Sequence, residues 1–321
     1  MQTIEKNGWI FQIQDGGEAV LTECSRGTPI LMLPGWVDGH PLTGIEYDAF
    51  AHAGTIEAFQ TDADHPAFSA VNGVLFDKNR QRLIRYPMDR RGEEYIVPAG
   101  TREIAHGAFA WSEQLQLVTL PDGICTVESR AFADCPALVS VNLPGSVVSF
   151  GHEVFSGSTL LREVNVPAGH PFLSRESCFL VDRKENTLLA CLPGRGETEL
   201  NAPEGIRSVD EYAFHGCNRL QKIHFHHGLR SLGRYAFYHC EALRTVELPE
   251  NLRIIGTRAF SGCSQLKSLY IPDSVTSIEY KAFNNCEKLV LLVNKGSYAD
   301  RYCRQFGFPC RHRVQWPWAR Q

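Results

Sequence analysis

Long apolar runs are missing from this chain. No stretch of its 321 residues approaches the roughly 18 consecutive apolar residues of a membrane-spanning helix, so no membrane insertion is expected. Residues 1 to 18 lack the basic flank and the apolar run of about 7 to 15 residues that mark a secretory signal. The chain as written is therefore expected to be soluble and cytoplasmic. A dominant charge is missing too: 32 Lys+Arg stand against 36 Asp+Glu, a formal net charge of -4, which gives no reason to expect nucleic acid or an anionic membrane as partner. Motifs that carry chemistry are equally scarce. There is no Gly-x-x-x-x-Gly-Lys phosphate loop, no Gly-x-Ser-x-Gly elbow and no Gly-x-Gly-x-x-Gly after a strand. Cys-x-x-Cys does not occur, and His152-Glu153 is followed by Val154, Phe155 and Ser156 rather than by the second histidine of a zinc helix. No catalytic residue, metal site or cofactor is assigned, and an enzyme is not expected.

What is present is a repeat. Ala-Phe recurs at Phe50, Phe109, Phe132, Phe214, Phe237, Phe260 and Phe283, with Val-Phe at Phe155, and the successive spacings are 59, 23, 23, 59, 23, 23 and 23 residues. A fixed period with several apolar positions is what one coil of a solenoid requires, because a coil buries its apolar face only by stacking on its neighbours. In Leu252 to Pro272, the residues Leu266, Leu269 and Ile271 predict a short strand facing inward, with Ser268 and Tyr270 facing outward. Pro272 ends that strand because it has no N–H for the next ladder bond. Ala259-Phe260 is expected to form a short helical turn on the opposite side, with Phe as the large core filler.

A larger unit is duplicated. An offset of 105 residues takes Phe50, Phe109 and Phe132 to Phe155, Phe214 and Phe237, His65-Pro66 to His170-Pro171, and Asp77 to Asp182. Within each copy, Val74 to Ile84 and Phe179 to Leu189 read as apolar strand, polar turn, apolar strand, predicting inserted hairpins. Charge divides along the chain: residues 1–194 hold 14 Lys+Arg against 24 Asp+Glu, net -10, and residues 195–321 hold 18 against 12, net +6. Ser297 is placed to cap a closing helix in which Ala299, Tyr302, Cys303 and Phe306 fall on one face, with Gly307 at its end. Such a cap covers the last open coil.

The run Ser-Val-Thr-Ser-Ile-Glu-Tyr-Lys-Ala-Phe-Asn-Asn-Cys-Glu-Lys-Leu at 274–289 closely resembles the repeats of the BspA-like leucine-rich-repeat proteins. Gly8 to Phe50, the two insertions and Gly296-Ser297-Tyr298-Ala299 resemble that family's first coil, usual insertions and closing helix. The resemblance implies an α/β fold: a right-handed leucine-rich-repeat solenoid with short parallel strands, short helical turns, two inserted β-hairpins and a C-terminal capping helix. It is expected to form a single domain over 1–321, with a capping coil at 1–43, repeats at 44–295 with insertions near 66–100 and 171–205, a cap at 296–313 and a tail at 314–321. Trp316-Pro317-Trp318 in that tail is expected to fold back on the array, or to serve as an aromatic partner motif.

Five cysteines, Cys135, Cys217, Cys240, Cys263 and Cys286, lie three residues after a repeat Phe, where other coils carry Ala53, Ser112 and Ser158. Small volume is therefore the requirement, and Cys is read as a small buried hydrophobe. His224, His226 and His227 are dense enough to consider a metal, but solvated histidines on a strand and turn are the simpler reading. Outward strand positions form two columns, Leu117, Ser140, Glu163, Lys222, Thr245, Ser268 and Thr119, Asn142, Asn165, His224, Glu247, Tyr270. Arg207, Arg230 and Arg253 recur at 23-residue intervals, each one place after an apolar residue of the second short strand. They should stack in adjacent coils as solvated charges or as a stripe for an acidic partner. The expected role is a non-enzymatic protein-recognition module or scaffold, binding a protein partner through Lys222, His224, Thr245, Glu247, Ser268, Tyr270, Arg207, Arg230 and Arg253. Relatives that the chain resembles include surface adhesins, so the alternative is an adhesin at the cell surface or secreted, binding a host matrix or cell-surface protein. An enzyme of unknown class ranks third.

Overall fold

The computed structural model describes residues 2–313 apart from positions 26 and 54. The aromatic tail motif Trp316-Pro317-Trp318 lies outside the described residues. Two compact units are distinguished, the first made of residues 1–158 and 164–171, the second of 159–163 and 172–321.

The first unit begins with antiparallel strands Gln2–Lys6, Trp9–Ile13 and Ala19–Cys24, the last of which pairs in parallel with His40–Ile45. Ile30–Leu33 pairs in parallel with Ala58–Thr61. An antiparallel meander of Phe68–Val71, Val74–Asp77 and Arg82–Arg85 follows. Its first link is the two-residue turn Asn72-Gly73 at φ 49° and 80°, the left-handed pair that a tight hairpin turn demands. The second link is closed by Asp77, whose Oδ1 accepts from the N–H groups of Gln81 at 2.7 Å and Arg82 at 2.8 Å. The strand Arg82–Arg85 then starts a parallel ladder through Glu103–Ile104, Thr126–Val127 and Ser149–Phe150. A separate parallel ladder joins Glu94–Ile96, Leu117–Thr119 and Ser140–Asn142.

The second unit repeats this plan. Its meander, Leu173–Glu176, Phe179–Asp182 and Thr187–Cys191, starts 105 residues after the first. It leads into Ser208–Val209, Ser231–Leu232, Ile254–Ile255 and Ser277–Ile278. The other ladder runs through Glu199–Asn201, Lys222–His224 and Thr245–Glu247.

The Ala-Phe segments form hydrogen-bonded turns, not the expected helical turns, and the backbone shows why. From Ala108 onward the residue before the Ala of each pair adopts a left-handed conformation, as at Arg130 (φ 59°), Tyr235 (φ 55°) and Arg258 (φ 52°), which breaks a right-handed helix. Its N–H groups then bond to the next coil instead of to the preceding turn: Phe237 N–H donates to Ala259 O at 2.7 Å, and Phe260 N–H to Ala282 O at 2.8 Å. Strand therefore dominates the fold. The described residues contain one α-helix, Tyr298–Phe306, and one 3-10 turn, Pro193–Arg195.

Each Phe column is a stack. In the second unit Phe214, Phe237, Phe260 and Phe283 have ring centroids 4.5, 5.1 and 5.8 Å apart and planes within 17°. In the first, Phe109, Phe132 and Phe155 are spaced by 4.9 and 5.6 Å. One coil is about 4.8 Å thick, so a ring at the same place in every coil must stack on its neighbours. The cysteine column lies beside it and remains thiol. Volume is only part of its requirement: Cys240 Sγ–H donates to Phe214 O at 3.2 Å, Cys263 to Phe237 O at 3.2 Å and Cys286 to Phe260 O at 2.9 Å. Ser158 Oγ–H makes the same bond to Phe132 O at 2.7 Å. Burial pushes the Cys135 thiol up to about 12 and Cys286 to about 11.

The closing helix is capped as its sequence requires. Ser297 Oγ accepts from Asp300 N–H at 3.1 Å, and Gly307 ends the helix at φ 64°. Ala299 and Cys303 are buried, but Phe306 is 64% exposed and does not face the core as expected. The left-handed Gly307 reverses the chain at once, and Phe308 takes the place over Phe283, with ring centroids 5.5 Å apart. The strand Cys310–His312, which periodicity does not reveal, then pairs in parallel with Val290–Val293. Asp300 is buried among the cap residues, accepting from Gly296 N–H at 2.8 Å, from His312 at 2.9 Å and from Arg304.

Candidate functional site

Outward positions on the strands of the second unit carry the candidate binding residues. Ile223, Val246 and Leu269 point inward and are no more than 6% exposed. Alternation therefore turns Lys222 and His224, Thr245 and Glu247, and Ser268 and Tyr270 outward. Register brings Lys222 opposite Thr245 and His224 opposite Glu247.

Glu247 holds the centre of this face. Its Oε1 lies 2.9 Å from Lys222 Nζ, and its Oε2 accepts from His224 Nδ1–H at 2.7 Å. Lys222 first, then His224, keep the Glu247 carboxyl below its usual range, and Glu247 in turn raises Lys222. Because these groups are solvent-facing, the pairs orient side chains more than they stabilise the fold. His224 and His226 meet edge to face at 5.4 Å. Among the described residues no group of three or more His, Cys, Asp or Glu is arranged to hold a metal ion.

Tyr270 is less open than its outward phase suggests. Arg313, beyond the closing strand, lies over its ring with Cζ 4.3 Å from the centroid, and burial pushes the phenol up from its usual value. Ser268 and Thr245 are exposed. The six residues thus comprise one linked trio, Lys222, His224 and Glu247, two open hydroxyls, and a tyrosine tucked under the cap.

Arg207, Arg230 and Arg253 do align in successive coils. They sit just before the strands Ser208–Val209, Ser231–Leu232 and Ile254–Ile255 rather than within them. Arg230 N–H donates to Arg207 O, and Arg253 N–H to Arg230 O, each at 2.8 Å. All three side chains are exposed, and among the described residues none forms an ion pair. This stripe belongs to a different ladder from the Glu247 trio.

Sequence reasoning missed an apolar patch in the first unit. Ile30, Met32 and Trp36 are 56%, 49% and 61% exposed. The signal was legible: Ile30-Leu31-Met32-Leu33 is apolar in both phases, so a strand there must leave one apolar face outward. It also missed a buried arginine, Arg85, beside Trp111, at a position whose inward phase normally excludes charge.

Comparison with known proteins agrees with the repeat. No curated protein matches the chain by sequence. Among similar solved structures is a leucine rich cell surface protein from Faecalibacterium prausnitzii, where the likeness covers 98% of this chain and 96% of that one, with 19% identity and a TM-score of 0.65. The pneumococcal vaccine antigen PcpA is similar over 92% of this chain and 82% of its own, with 19% identity and a TM-score of 0.63. At such identities the likeness is one of fold. No helix of the described residues is long and apolar enough to cross a membrane. Residues 91–180 and 196–298 match the BspA type leucine rich repeat region in six copies, so this chain belongs to the BspA-type leucine-rich-repeat family.

Proposed function

We propose that this protein is a non-enzymatic protein-recognition module that uses its extended repeat surface. The observation that carries this reading is the regular outward presentation of Lys222, His224, Thr245, Glu247, Ser268 and Tyr270 over an apolar interior. Repeated coils place such residues at a fixed spacing, which suits an extended protein partner better than a compact substrate. The arginine stripe adds a direction: three exposed arginines on coils about 4.8 Å apart gather like charge and favour a partner that brings carboxylates.

Affinity capture from native lysate tests this, comparing the wild-type chain with the triple variant Arg207→Glu, Arg230→Glu, Arg253→Glu and with Lys222→Ala, Glu247→Ala. The stripe is expected to carry the acidic partner, so that partner should be lost in the triple variant. A partner list unchanged in both variants removes the proposed faces from consideration.

A second reading places the module at the cell surface as an adhesin for a host matrix or cell-surface protein. It is favoured by the likeness in fold to a protein described as a leucine rich cell surface protein. Protease treatment of intact cells separates the two: a surface protein is shaved, a cytoplasmic scaffold is protected.

A further inference from the structure

A cavity of about 270 Å³ opens in the first unit, walled by Tyr47, Phe50, Phe68, Ile84, Arg85 and His106. Arg85 is the anomaly in it. The residue is 3% exposed, yet only Nη1 has a hydrogen-bond partner, the carbonyl of Gly107 at 2.6 Å. Nε and Nη2 have none among the described residues. These two N–H groups form one edge of the guanidinium, the parallel pair that a carboxylate accepts in bidentate fashion.

Among the described residues no acid compensates this charge. Burial pushes Arg85 down to about 10, so the guanidinium remains cationic at neutral pH, where Tyr47 and Cys135, themselves pushed up by burial, carry no charge to offset it. Glu46 is the one acid among the lining residues and forms no ion pair with Arg85 among the described residues. Arg82, also in the wall, is already taken by Glu128 at 2.8 Å. A buried, unpaired charge is strongly destabilising unless something compensates it. The face of Trp111, with Cζ 5.1 Å from its ring centroid, compensates in part only.

The duplication supplies an internal control. At the 105-residue offset, Arg85 corresponds to Ala190, Trp111 to Gly216, Tyr47 to His152 and His106 to Glu211. The pairing partners agree, since Arg85 lies opposite Leu75 and Ala190 opposite Leu180. The same meander thus folds with alanine where the first copy buries an arginine. The surrounding residues are fitted to the arginine copy as well: a Cβ on Gly107 would stand 2.0 Å from the Tyr47 ring. Tyr47 in turn packs on His106 at 4.7 Å and Trp111 at 4.9 Å, and accepts from Arg130 Nε–H at 3.0 Å.

From this arrangement we infer that the cavity is a carboxylate-binding site anchored by Arg85, taking an acid with a compact apolar or aromatic body. Phe50, Phe68 and Ile84 provide contact for the body, and an engineered apolar cavity of roughly 150 Å³ already holds benzene, so a ring-bearing acid fits. The acid is either a free small molecule or the carboxyl end of a peptide.

Isothermal titration of the full chain with benzoate tests the assignment, with benzyl alcohol and inorganic phosphate as controls. Benzoate is expected to bind saturably at one site, and the two controls at least about tenfold more weakly, the scale of a lost charged hydrogen bond. Arg85→Ala, which has a precedent in Ala190, should fold and lose benzoate binding by a similar factor. Glu46→Gln should bind it no more weakly than wild type. A short peptide ending in Phe, compared with its C-terminal amide, separates the sources: tighter binding of the free peptide assigns a chain terminus, and no binding of either assigns a free acid. The assignment is overturned if benzoate does not saturate, if benzyl alcohol or phosphate binds as well, or if Arg85→Ala keeps the wild-type affinity. The benzoate measurement on wild type stands even if a variant fails to fold, and it does not depend on the protein-recognition reading.

Discussion

Replacing Phe237 by Ala should be among the most damaging single changes in the second unit. The ring is fully buried, lies between Phe214 at 4.5 Å and Phe260 at 5.1 Å, and meets the edge of Phe225 at 6.2 Å. Removing a buried Phe side chain costs about 3–5 kcal/mol through lost transfer energy and the cavity left behind. Two stacked neighbours place this site in the upper part of that range, since each aromatic pair adds roughly 0.5–1.5 kcal/mol beyond area burial. A total stability of about 5–15 kcal/mol is usual for a domain, so the change removes about a quarter or more. The damage should also be local, because a coil touches only its neighbours. Urea unfolding of the full chain, followed by far-UV circular dichroism, should show an earlier transition, with a reduced slope if the array separates into two steps. Phe306→Ala is the matched control: that ring is 64% exposed, and its loss should change stability by no more than about 0.5 kcal/mol. A cost below about 1 kcal/mol for Phe237→Ala, or equal costs for the two variants, would refute the claim that the Phe stack holds the coils together.

Thiol labelling of the native protein should modify Cys125 and Cys310, which are partly exposed, and leave Cys135, Cys240, Cys263 and Cys286 untouched until the chain unfolds. The four are buried, their thiols are pushed up, and the thiolate is the reactive form; rapid native labelling of any of them would contradict the stacked column. Cys240→Ser should be tolerated better than Cys240→Val in thermal unfolding, because a hydroxyl can keep the bond to Phe214 O, as Ser158 does to Phe132 O. Asp300 is held below the usual carboxylate range, first by Gly296 N–H and then by His312. A carboxyl depressed in the folded state stabilises at pH above its unfolded value of about 3.9 and loses that contribution as pH falls through the lower folded value. Asp300→Asn should therefore melt below wild type near neutrality, with the gap closing under about pH 4; a gap independent of pH would assign its effect to something other than charge.

Periodicity made the solenoid legible before any coordinates. A ring every 23 residues has only one way to be buried at every occurrence, and the inward phase of Ile223, Val246 and Leu269 follows from the two-residue alternation of a strand. The outward residues followed from the same alternation, which placed Lys222, His224 and Glu247 on one face but not their contacts. That Glu247 takes both Lys222 and His224 depends on cross-strand register and rotamers, and Arg313 reaching Tyr270 depends on where the chain runs after its last turn. Local propensity misread two places. Ala-Phe suggested a helix, but the left-handed residue before it directs the N–H groups to the next coil. Helical spacing put Phe306 inside, but Gly307 turns the chain so that Phe308 covers Phe283 instead.

The sequence by itself determined the repeat, the duplication, the inward residues and the columns, because these depend on spacing along one chain and on the fixed geometry of a strand. Only the tertiary structure decided that Arg85 is buried with one edge unpaired, and that Tyr47, His106 and Trp111 gather around it. Those residues are separated by up to 64 positions, and what brings them together is the stacking of coils, which no local pattern encodes.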